Sequence, residues 1–336
     1  MVRVAINGFG RIGRNFLKIA HRRNVPFQIV AINDLTEVHT MAHLLKYDSC
    51  YGRFDADVKE EEHAIIVDGC RIEVFSEPNP EKLPWEALNI DAVIESTGKF
   101  ASREGGQMHI NAGAKRVIIG APVSDADAMI VIGANDEIYD KDKHFILSMA
   151  SCTTNCTSLF AKIIDDEYGI SHGIVTTVHA YTNNQLLLDK PHKDLRRARA
   201  AAVSMIPTST GAARAIGIVL PHLKGRLEGA AIRVPVDAVS LADVVFDLEK
   251  DVTAEEINAM LKEKSEGALK GIMGYTDEPL VSTDFRGEEN TCVIDALSTI
   301  VVDGRMLRVV AWYDNEWGYA RRVCDLIDML IEKKSF

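Results

Sequence analysis

The sequence predicts an α/β protein, with a doubly wound parallel sheet in its first half and an α+β domain with a largely antiparallel sheet in its second half. Three observations support this class. Apolar runs of strand length alternate with helical patterns up to residue 150, a glycine-rich turn follows the first run, and strands dominate after residue 152. The chain has 336 residues, 47% of them hydrophobic, which is enough for two cores.

The first strand, turn and helix follow one another in the order of a dinucleotide-binding unit. Val2–Asn7 predicts a short buried strand, and a glycine-rich run at residues 8–13 comes directly after it. A helical stripe follows, and then a second strand over Phe27–Asn33, which Asp34 closes. We therefore predict a βαβ unit that begins a sheet of the Rossmann type.

Each glycine of this turn has a physical reason. Gly8 allows the tight bend, Gly10 lets the backbone approach a pyrophosphate, and Gly13 lets the helix pack closely on the strand. The helix N-terminus then faces the phosphates, and the Asp34 carboxylate can accept hydrogen bonds from a ribose diol. The segment predicts that a dinucleotide binds here.

The rest of the first half of the chain continues with predicted strands of the same sheet. Apolar runs predict buried parallel strands at residues 91–96, 116–119, 129–132 and 145–148. Residues 64–75 alternate in polarity on either side of Asp68 and Gly69, which predicts a β-hairpin attached to this sheet.

The second half is richer in strands. They are predicted at residues 230–236, 242–248, 292–297 and 307–313. A capping box, Thr253 with Glu256, begins one clear helix, and a helical stripe predicts another over residues 319–334. This change from alternating strands and helices to mostly strands predicts a second domain.

A cysteine near the middle of the chain is the second functional signal. The helical stripe between residues 150 and 170 stops at Gly169, which places Cys152 at or beside the N-terminus of a helix. Free N–H groups and the positive helix end favour a thiolate there. A β-branched run over residues 173–179 then predicts a strand ending in His179. An isolated cysteine is more often structural, but a thiol with a neighbouring imidazole predicts covalent thiol catalysis.

Composition argues against several classes of function. The formal net charge of −11 argues against a protein that binds nucleic acid or anionic membranes. No apolar run approaches the ~20 residues of a membrane span, and the N-terminus opens into a strand rather than a signal peptide. The six cysteines are scattered, with no CxxC pair. This spacing predicts a reduced cytoplasmic protein with neither a disulfide framework nor a metal site.

Five segments of the chain form a specific set of motifs. They are NGFGRIGR at 7–14, SCTTNC at 151–156, HAYT at 179–182, PTSTGAA at 207–213 and WYDNEWG at 312–318. Together they resemble the phosphorylating glyceraldehyde-3-phosphate dehydrogenase family, and the similarity runs from residue 2 to the last helix. The resemblance implies a Rossmann NAD-binding domain of residues 1–151, completed by the C-terminal helix 317–336, and a catalytic domain of residues 152–316.

The resemblance implies oxidation of glyceraldehyde 3-phosphate, with phosphate and NAD, to 1,3-bisphosphoglycerate and NADH in glycolysis or gluconeogenesis. By the same resemblance, Cys152 attacks the aldehyde and carries a thioester, while His179 takes the proton and polarises the developing oxyanion. Asn315 holds the nicotinamide carboxamide, and Tyr319 packs near the ring. The implied cofactor contacts are Gly8, Gly10, Arg11, Ile12, Gly13, Asp34, Gly120, Asn315 and Tyr319.

Such a reaction must hold two phosphates, one on the substrate and one inorganic. Hydroxyl, backbone N–H and guanidinium groups are suitable ligands for both. The resemblance gives this role to Ser151, Thr153, Thr182, Arg197, Thr210, Gly211 and Arg233. The basic stretch over residues 191–199 resembles the family's S-shaped loop, which reaches the cofactor of a neighbouring subunit and implies a homotetramer. The acidic chain around that stretch argues against a nucleic-acid partner.

Two alternative functions remain open from the sequence. Erythrose-4-phosphate dehydrogenase shares the cysteine and the histidine, although residues 181–183 and 210–213 favour the glyceraldehyde-phosphate enzyme. A non-catalytic NAD-binding or adhesive protein is the other alternative, and the intact pair of Cys152 and His179 argues against it.

The chain also departs from the common family pattern. The departures are Met149, Gly120, Pro78 and Asp237. None of them removes a reacting group, but Gly120 and Pro78 predict weaker contacts on the adenosine side. Asp34 favours a free ribose 2′-hydroxyl, whereas Lys190 could attract a 2′-phosphate. We predict that NAD is preferred and that NADP retains measurable activity.

Overall fold

The computed structural model describes all 336 residues, and the chain folds as two units. The first unit contains residues 1–130, 137–150 and 320–336. The second contains residues 131–136 and 151–319. None of the helices combines the length and the apolar character that a membrane span needs.

The first unit is built on a nine-stranded sheet. Its elements are β1 (Val2–Asn7), α1 (Arg11–Arg23), β2 (Phe27–Asn33), α2 (Val38–Lys46), β3 (Tyr47–Asp48), β4 (Gly52–Arg53), β5 (Val58–Glu61), β6 (Ala64–Val67), β7 (Cys70–Phe75), β8 (Ala92–Glu95), α3 (Arg103–Asn111), β9 (Arg116–Ile119), β10 (Ala128–Met129) and β11 (Ile146–Ser148). Across the sheet the order is β10-β11-β9-β8-β1-β2-β7-β6-β5, while β3 and β4 pair separately. Strand β1 lies between β2 and β8 and runs parallel to both. The winding therefore reverses at β1, as the doubly wound class requires.

The hydrophobic pattern explains why these elements form. The middle of β1 and the middle of β8 are inaccessible to solvent, as expected for strands covered on both faces. The helix α1 packs close to the end of β1, since a Cβ on Gly13 would lie 3.0 Å from Cγ2 of Ile6. The hairpin of β6 and β7 turns at Asp68 and Gly69, both with positive φ, as the sequence predicts.

One predicted strand of this sheet is wrong in its bounds. The apolar run at residues 129–132 predicts a strand, but β10 covers only Ala128–Met129. The N–H of Val131 donates to Asn135 Oδ1 at 2.8 Å, a local turn bond, instead of joining the sheet. The apolar side chains of this run are nevertheless buried, so hydrophobicity alone could not separate strand from turn.

The second unit contains a mixed sheet of eight strands. Its elements are α4 (Cys152–Tyr168), β12 (Ile170–Ala180), β13 (Ile206–Ser209), α5 (Ala212–Val219), β14 (Leu227–Val234), β15 (Ser240–Leu248), α6 (Ala254–Glu266), β16 (Met273–Thr276), β17 (Cys292–Asp295), β18 (Ile300–Val302) and β19 (Met306–Tyr313). The order is β13-β14-β12-β15-β19-β17-β16, and β18 pairs with β19. Only the pairs β12–β14 and β16–β17 are parallel, so the largely antiparallel class is confirmed.

Helix α4 packs on this sheet against β15 and β19. Alternate residues of β15 are buried beneath it, and the rings of Phe160 and Phe246 meet edge to face with centroids 6.2 Å apart. The predicted capping box of Thr253 and Glu256 begins α6. The last helix, α7 (Trp317–Glu332), begins within the second unit, and residues from 320 onward belong to the first.

Candidate active site

Helix α4 and strand β12 bring a thiol and an imidazole together. Ser151 is the N-cap of α4, where its hydroxyl oxygen accepts a hydrogen bond from the backbone N–H of Thr154. Cys152 is therefore the first residue of the helix, as predicted. Its Sγ lies 3.5 Å from Nε2 of His179, the penultimate residue of β12.

The two neighbours of the other ring nitrogen of the histidine favour opposite tautomers. Nδ1 of His179 lies 2.7 Å from the carbonyl oxygen of Ala180, which can only accept a hydrogen bond, and 3.0 Å from Nη1 of Arg233, which can only donate one. In the tautomer whose Nδ1 proton is donated to the carbonyl, Nε2 presents a lone pair to the sulfur. Burial, followed by the positive charge of Arg233, lowers the pKa of His179 to about 3. The imidazole is neutral at physiological pH and can accept the thiol proton.

Burial opposes the effect of the helix end on the thiol. The helix N-terminus favours a thiolate, but the packing around the sulfur raises the pKa of the Cys152 thiol. The charge of Arg233 and the N–H of Thr153 oppose this effect and are outweighed by burial. The helix position was correct, but its electrostatic benefit is smaller than the desolvation of the sulfur. The resting pair is therefore a neutral thiol beside a neutral imidazole.

Arg233 lies directly beside the histidine. The parallel register of β12 and β14 pairs the two residues. The Nη1 group of Arg233 donates to the carbonyl oxygen of Ala180 at 3.0 Å and to the hydroxyl oxygen of Thr182 at 3.4 Å. Its Nε is buried without a hydrogen-bond partner. A guanidinium with an unused buried donor is well suited to an anionic ligand.

A second arginine extends this positive region. Arg197 donates through Nε to the Thr208 hydroxyl at 2.9 Å and through Nη2 to the carbonyl oxygen of Ser209 at 3.2 Å. It is close enough to His179 to lower the pKa of the imidazole further. In the residues that follow Ser209, the Thr210 hydroxyl accepts a hydrogen bond from the N–H of Ala212, and Gly211 is the N-cap residue of α5.

Two predicted phosphate ligands have their hydroxyls engaged within the protein. The Ser151 hydroxyl caps α4 and also lies 2.8 Å from the hydroxyl of Thr154. Thr153 is buried, and its hydroxyl lies 2.8 Å from that of Tyr313. The Tyr313 hydroxyl is equally close to the hydroxyl of Thr177. The structure therefore brings the Thr153 side chain to the base of the site rather than into open space.

Sequence reasoning missed Tyr313 as a functional residue. Its hydroxyl connects the first turn of α4 with β12, and its ring meets that of His179 edge to face at 6.0 Å. Tyr313 thus fixes the separation of the two reacting side chains. The only signal in the sequence is its place in the 312–318 segment, because its partners are far away in the chain.

Asn315 and Tyr319 lie in the same unit as the thiol. The Ser240 hydroxyl accepts the N–H of Ala180 at 3.1 Å and donates to Asn315 Oδ1 at 3.0 Å. The amide nitrogen of Asn315 is therefore left as a donor for a ligand. Burial and the nearby Cys152 raise the pKa of Tyr319, which keeps its phenol neutral. Ser240 is a second residue that the sequence analysis missed.

The first unit carries a cleft at the carboxyl ends of β1, β2 and β8. The cavity of about 320 Å³ is lined by Asn7, Gly8, Gly10, Asn33, Asp34, Leu35, Glu77, Pro78, Ser96, Thr97, Lys99 and Phe100. A Cβ on Gly8 would lie 2.6 Å from the backbone nitrogen of Thr97, whereas the space around Gly10 is open. The Asp34 carboxylate accepts the N–H groups of Phe9 at 2.7 Å and Thr36 at 2.9 Å. These features suit the pyrophosphate and ribose of a dinucleotide.

The structure limits what the remaining predicted cofactor residues can offer. The Arg11 guanidinium pairs with Asp48 at 2.8 Å, and Lys18 shares the same buried carboxylate. Only backbone groups of Arg11 and Ile12, at the start of α1, are therefore suited to the phosphates. The N–H of Gly120 donates to the carbonyl oxygen of Glu95 at 2.9 Å. No three His, Cys, Asp or Glu side chains are arranged to hold a metal ion.

Comparison with known proteins identifies relatives of both units. Residues 2–103 match the family model described as glyceraldehyde 3-phosphate dehydrogenase, NAD binding domain, and residues 151–315 match that of the C-terminal domain. The chain is 54% identical over 332 residues to glyceraldehyde-3-phosphate dehydrogenase of Geobacillus stearothermophilus, covering 99% of each chain. It is 53% identical over 332 residues to glyceraldehyde-3-phosphate dehydrogenase 1 of Bacillus subtilis, again over 99% of each.

Proposed function

This chain belongs to the glyceraldehyde-3-phosphate dehydrogenase family, and on that premise we propose that Cys152 is its nucleophile and His179 its general base. Its activity is the NAD-dependent, phosphorylating oxidation of glyceraldehyde 3-phosphate in glycolysis. One observation carries the residue assignment, the 3.5 Å approach of Cys152 Sγ to a neutral His179 Nε2 at the first turn of α4.

In the first half of the reaction, the thiol proton moves to Nε2 of His179 as sulfur bonds to the aldehyde carbon. The resulting thiohemiacetal oxygen faces the protonated imidazole and the backbone N–H groups at the start of α4. The carbonyl of Ala180, which holds the opposite ring nitrogen, stabilises the imidazolium. NAD, held by the residues assigned to it below, would supply the acceptor for the hydride of the former aldehyde carbon, and Cys152 would then carry an acyl thioester.

In the second half, inorganic phosphate attacks the thioester carbonyl. The acyl phosphate leaves, and the released Cys152 sulfur recovers its proton from His179. We assign the two phosphates to Ser151, Thr153, Thr182, Arg197, Thr210, Gly211 and Arg233. The proximity of Arg197 and Arg233 to the imidazole and the unpaired Nε of Arg233 support this assignment. Because the Thr153 hydroxyl is hydrogen-bonded to that of Tyr313, we assign the phosphate contact of Thr153 to its backbone N–H.

NAD is the cofactor of the family's N-terminal domain, and the cleft of the first unit fits it. We assign its contacts to Gly8, Gly10, Arg11, Ile12, Gly13, Asp34, Gly120, Asn315 and Tyr319. The open space beside Gly10 supports the contacts with the pyrophosphate, and the donor nitrogen of Asn315 supports the contact with the nicotinamide. We also keep residues 1–151 with 317–336, and residues 152–316, as the two functional domains.

The assembly is proposed to be a homotetramer of cytoplasmic location. The stretch over residues 186–205 exposes large apolar side chains: Leu187 is 80% exposed, Leu188 75%, Leu195 82%, Val203 80% and Met205 75%. So many exposed large apolar side chains on one stretch are unusual on the free surface of a monomer and typical of an interface. Sedimentation velocity checks this state, and a monomeric Leu188→Asp variant would support the placement of the interface.

The substrate assignment is tested by a comparison of two aldehydes. NADH formation should be fast with glyceraldehyde 3-phosphate and much slower with erythrose 4-phosphate, each at equal concentration and with phosphate present. Faster turnover of erythrose 4-phosphate would contradict the proposed substrate and favour the related enzyme. Both reactions should be lost in Cys152→Ser, because serine is a far weaker nucleophile at neutral pH.

A further inference from the structure

A line of buried polar side chains runs beneath the dinucleotide cleft. We call Glu95, Asn7, Asn33 and Glu77 the cleft ladder; they lie at or just after the carboxyl ends of β8, β1, β2 and β7. Glu95 and Asn7 are each only 1% exposed, and Asn33 is 5% exposed. Polar groups this deeply buried in a sheet of apolar strands are costly unless every one is hydrogen-bonded.

Each amide nitrogen and each amide oxygen of the ladder has at least one hydrogen-bond partner. The Asn7 nitrogen donates to Glu95 Oε2, and the Asn33 nitrogen donates to Asn7 Oδ1 at 2.7 Å. Asn33 and the backbone of Glu77 then bond twice, from the Asn33 nitrogen to the Glu77 carbonyl at 3.0 Å and from the Glu77 N–H to Asn33 Oδ1 at 2.9 Å. These hydrogen bonds connect the ends of four strands, and they fix which side of each amide group carries the oxygen and which the nitrogen.

Glu95 is the charged end of the ladder. The Trp85 indole, which can only donate, gives its proton to His109 Nδ1 at 3.0 Å, so the proton of this imidazole is on Nε2. Nε2 then donates to Glu95 Oε2 at 3.2 Å. On the other oxygen, Glu95 accepts the backbone N–H of Thr97 at 2.8 Å and the Thr97 hydroxyl. The carboxylate therefore receives donors only, from Asn7, His109 and Thr97, and no cation pairs with it.

The two ends of the ladder hold the two walls of the cleft. At the Glu95 end, Thr97 approaches Gly8 so closely that no Cβ would fit, and its hydroxyl accepts the N–H of Lys99. At the other end, Asn33 holds the backbone of Glu77. Gly8, Thr97, Lys99 and Glu77 all line the cavity, whereas Glu95 does not. The buried carboxylate therefore governs the shape of a site that it does not line.

We propose that Glu95 is the positioning residue of the cofactor cleft, and that its buried carboxylate sets the separation of the Thr97 and Glu77 walls that hold the adenosine and pyrophosphate half of NAD. The inference rests on NAD binding by the first unit. It assigns to Glu95 a role in cofactor affinity and none in hydride transfer or acyl transfer.

The test uses Glu95→Gln, which keeps the shape of the side chain but replaces one accepting oxygen with a donor. That donor must oppose either the donors of Thr97 or those of Asn7 and His109. We expect the affinity for ADP-ribose, which contains the adenosine and both phosphates but no nicotinamide, to fall at least about tenfold in calorimetry. The KM for NAD should rise in parallel, while kcat at saturating NAD changes by less than about twofold.

Arg116→Met is the matched control. Arg116 is a buried polar residue of the same sheet, but it begins β9 at the opposite end of the strands and bonds to the carbonyl of Lys141. Its replacement should lower Tm and leave ADP-ribose affinity unchanged. Should Glu95→Gln fail to fold, Thr97→Val removes one donor to the carboxylate and should still weaken ADP-ribose binding by about threefold or more.

The outcomes separate this inference from the function it rests on. If Glu95→Gln lowers Tm and leaves ADP-ribose affinity and the KM for NAD within twofold of wild type, Glu95 is only structural and the inference is wrong. If the wild-type protein itself does not bind ADP-ribose, NAD binding by the first unit is wrong. A variant with weaker ADP-ribose binding and an unchanged kcat supports the positioning role.

Discussion

The cofactor cleft of the first unit and the thiol site of the second use their polar groups in opposite ways. In the cleft ladder, the amide nitrogen and the amide oxygen of both Asn7 and Asn33 each have a partner within the protein. In the thiol site, Nε2 of His179 faces only the sulfur, and the Nε of Arg233 has no partner. A binding cleft gains from a shape fixed in advance, whereas a reacting site must keep the groups that will exchange protons or bind anions.

The largest expected effect comes from removing the base. His179→Asn should lower kcat by at least about 10³-fold, because the proton acceptor and the donor to the oxyanion are lost together. NAD affinity, measured by fluorescence quenching, should stay close to that of wild type because His179 is not among the assigned cofactor contacts. Near-normal turnover would remove His179 from the mechanism.

The same histidine should leave a signature in stability. Because its pKa in the folded chain is about 3 instead of its ordinary value, the unfolded chain binds a proton between these pH values that the folded chain does not. Stability therefore falls as the pH is lowered below about 6.5, and from pH 6.5 to pH 5 this group should account for about 1.5 kcal/mol. Urea unfolding of wild type and His179→Gln checks this: the two curves should converge in acid, and parallel curves would contradict a buried neutral imidazole.

A smaller and more selective effect is expected at the phosphate site. Thr210→Val should slow cleavage of the thioester by about tenfold and leave the first burst of NADH unchanged, because only the second step needs inorganic phosphate. Stopped-flow absorbance separates the two phases. Thr210→Ser, which restores the hydroxyl, is the control. Equal slowing of both phases would contradict the role of Thr210.

The smallest expected effect concerns cofactor choice. NAD should be preferred to NADP because the Asp34 carboxylate is fixed in the cleft by the N–H groups of Phe9 and Thr36. Lys190→Gln should lower kcat/KM for NADP by about threefold and leave kcat/KM for NAD unchanged. The effect is small because the attraction of a flexible, exposed lysine for the 2′-phosphate offsets only part of the repulsion by Asp34. Lys193→Gln, on the same stretch, is the control. Comparable kcat/KM for the two cofactors in wild type would show that Asp34 does not discriminate between them.

The comparison of the two units also shows what could be predicted from sequence. The strands β1 and β2, the helix α4 and the neighbouring imidazole follow from local periodicity and glycine positions, and the bounds of β1 and β2 agree to the residue. The doubly wound and largely antiparallel classes are confirmed for the same reason. These features depend on residues close together in the chain.

The features that could not be predicted depend on tertiary packing. Asn7 and Glu95 meet only because β1 and β8 align in register, and the Arg11 side chain pairs with Asp48 of the short strand β3, 37 residues away in the chain. The raised pKa of Cys152 likewise reflects the packing around its sulfur, which no local pattern shows. The position of the thiol therefore follows from the sequence, whereas the effect of burial on its pKa does not.

The most direct test of the mechanism concerns Cys152 itself. With glyceraldehyde 3-phosphate and excess NAD but neither phosphate nor arsenate, the protein should form about one equivalent of NADH per chain and then stop. Acid quenching and peptide mass spectrometry should find the acyl group on Cys152, with the other five cysteines unmodified. Continued NADH production without either anion, or an acyl group on another residue, would contradict a phosphate-cleaved thioester at Cys152.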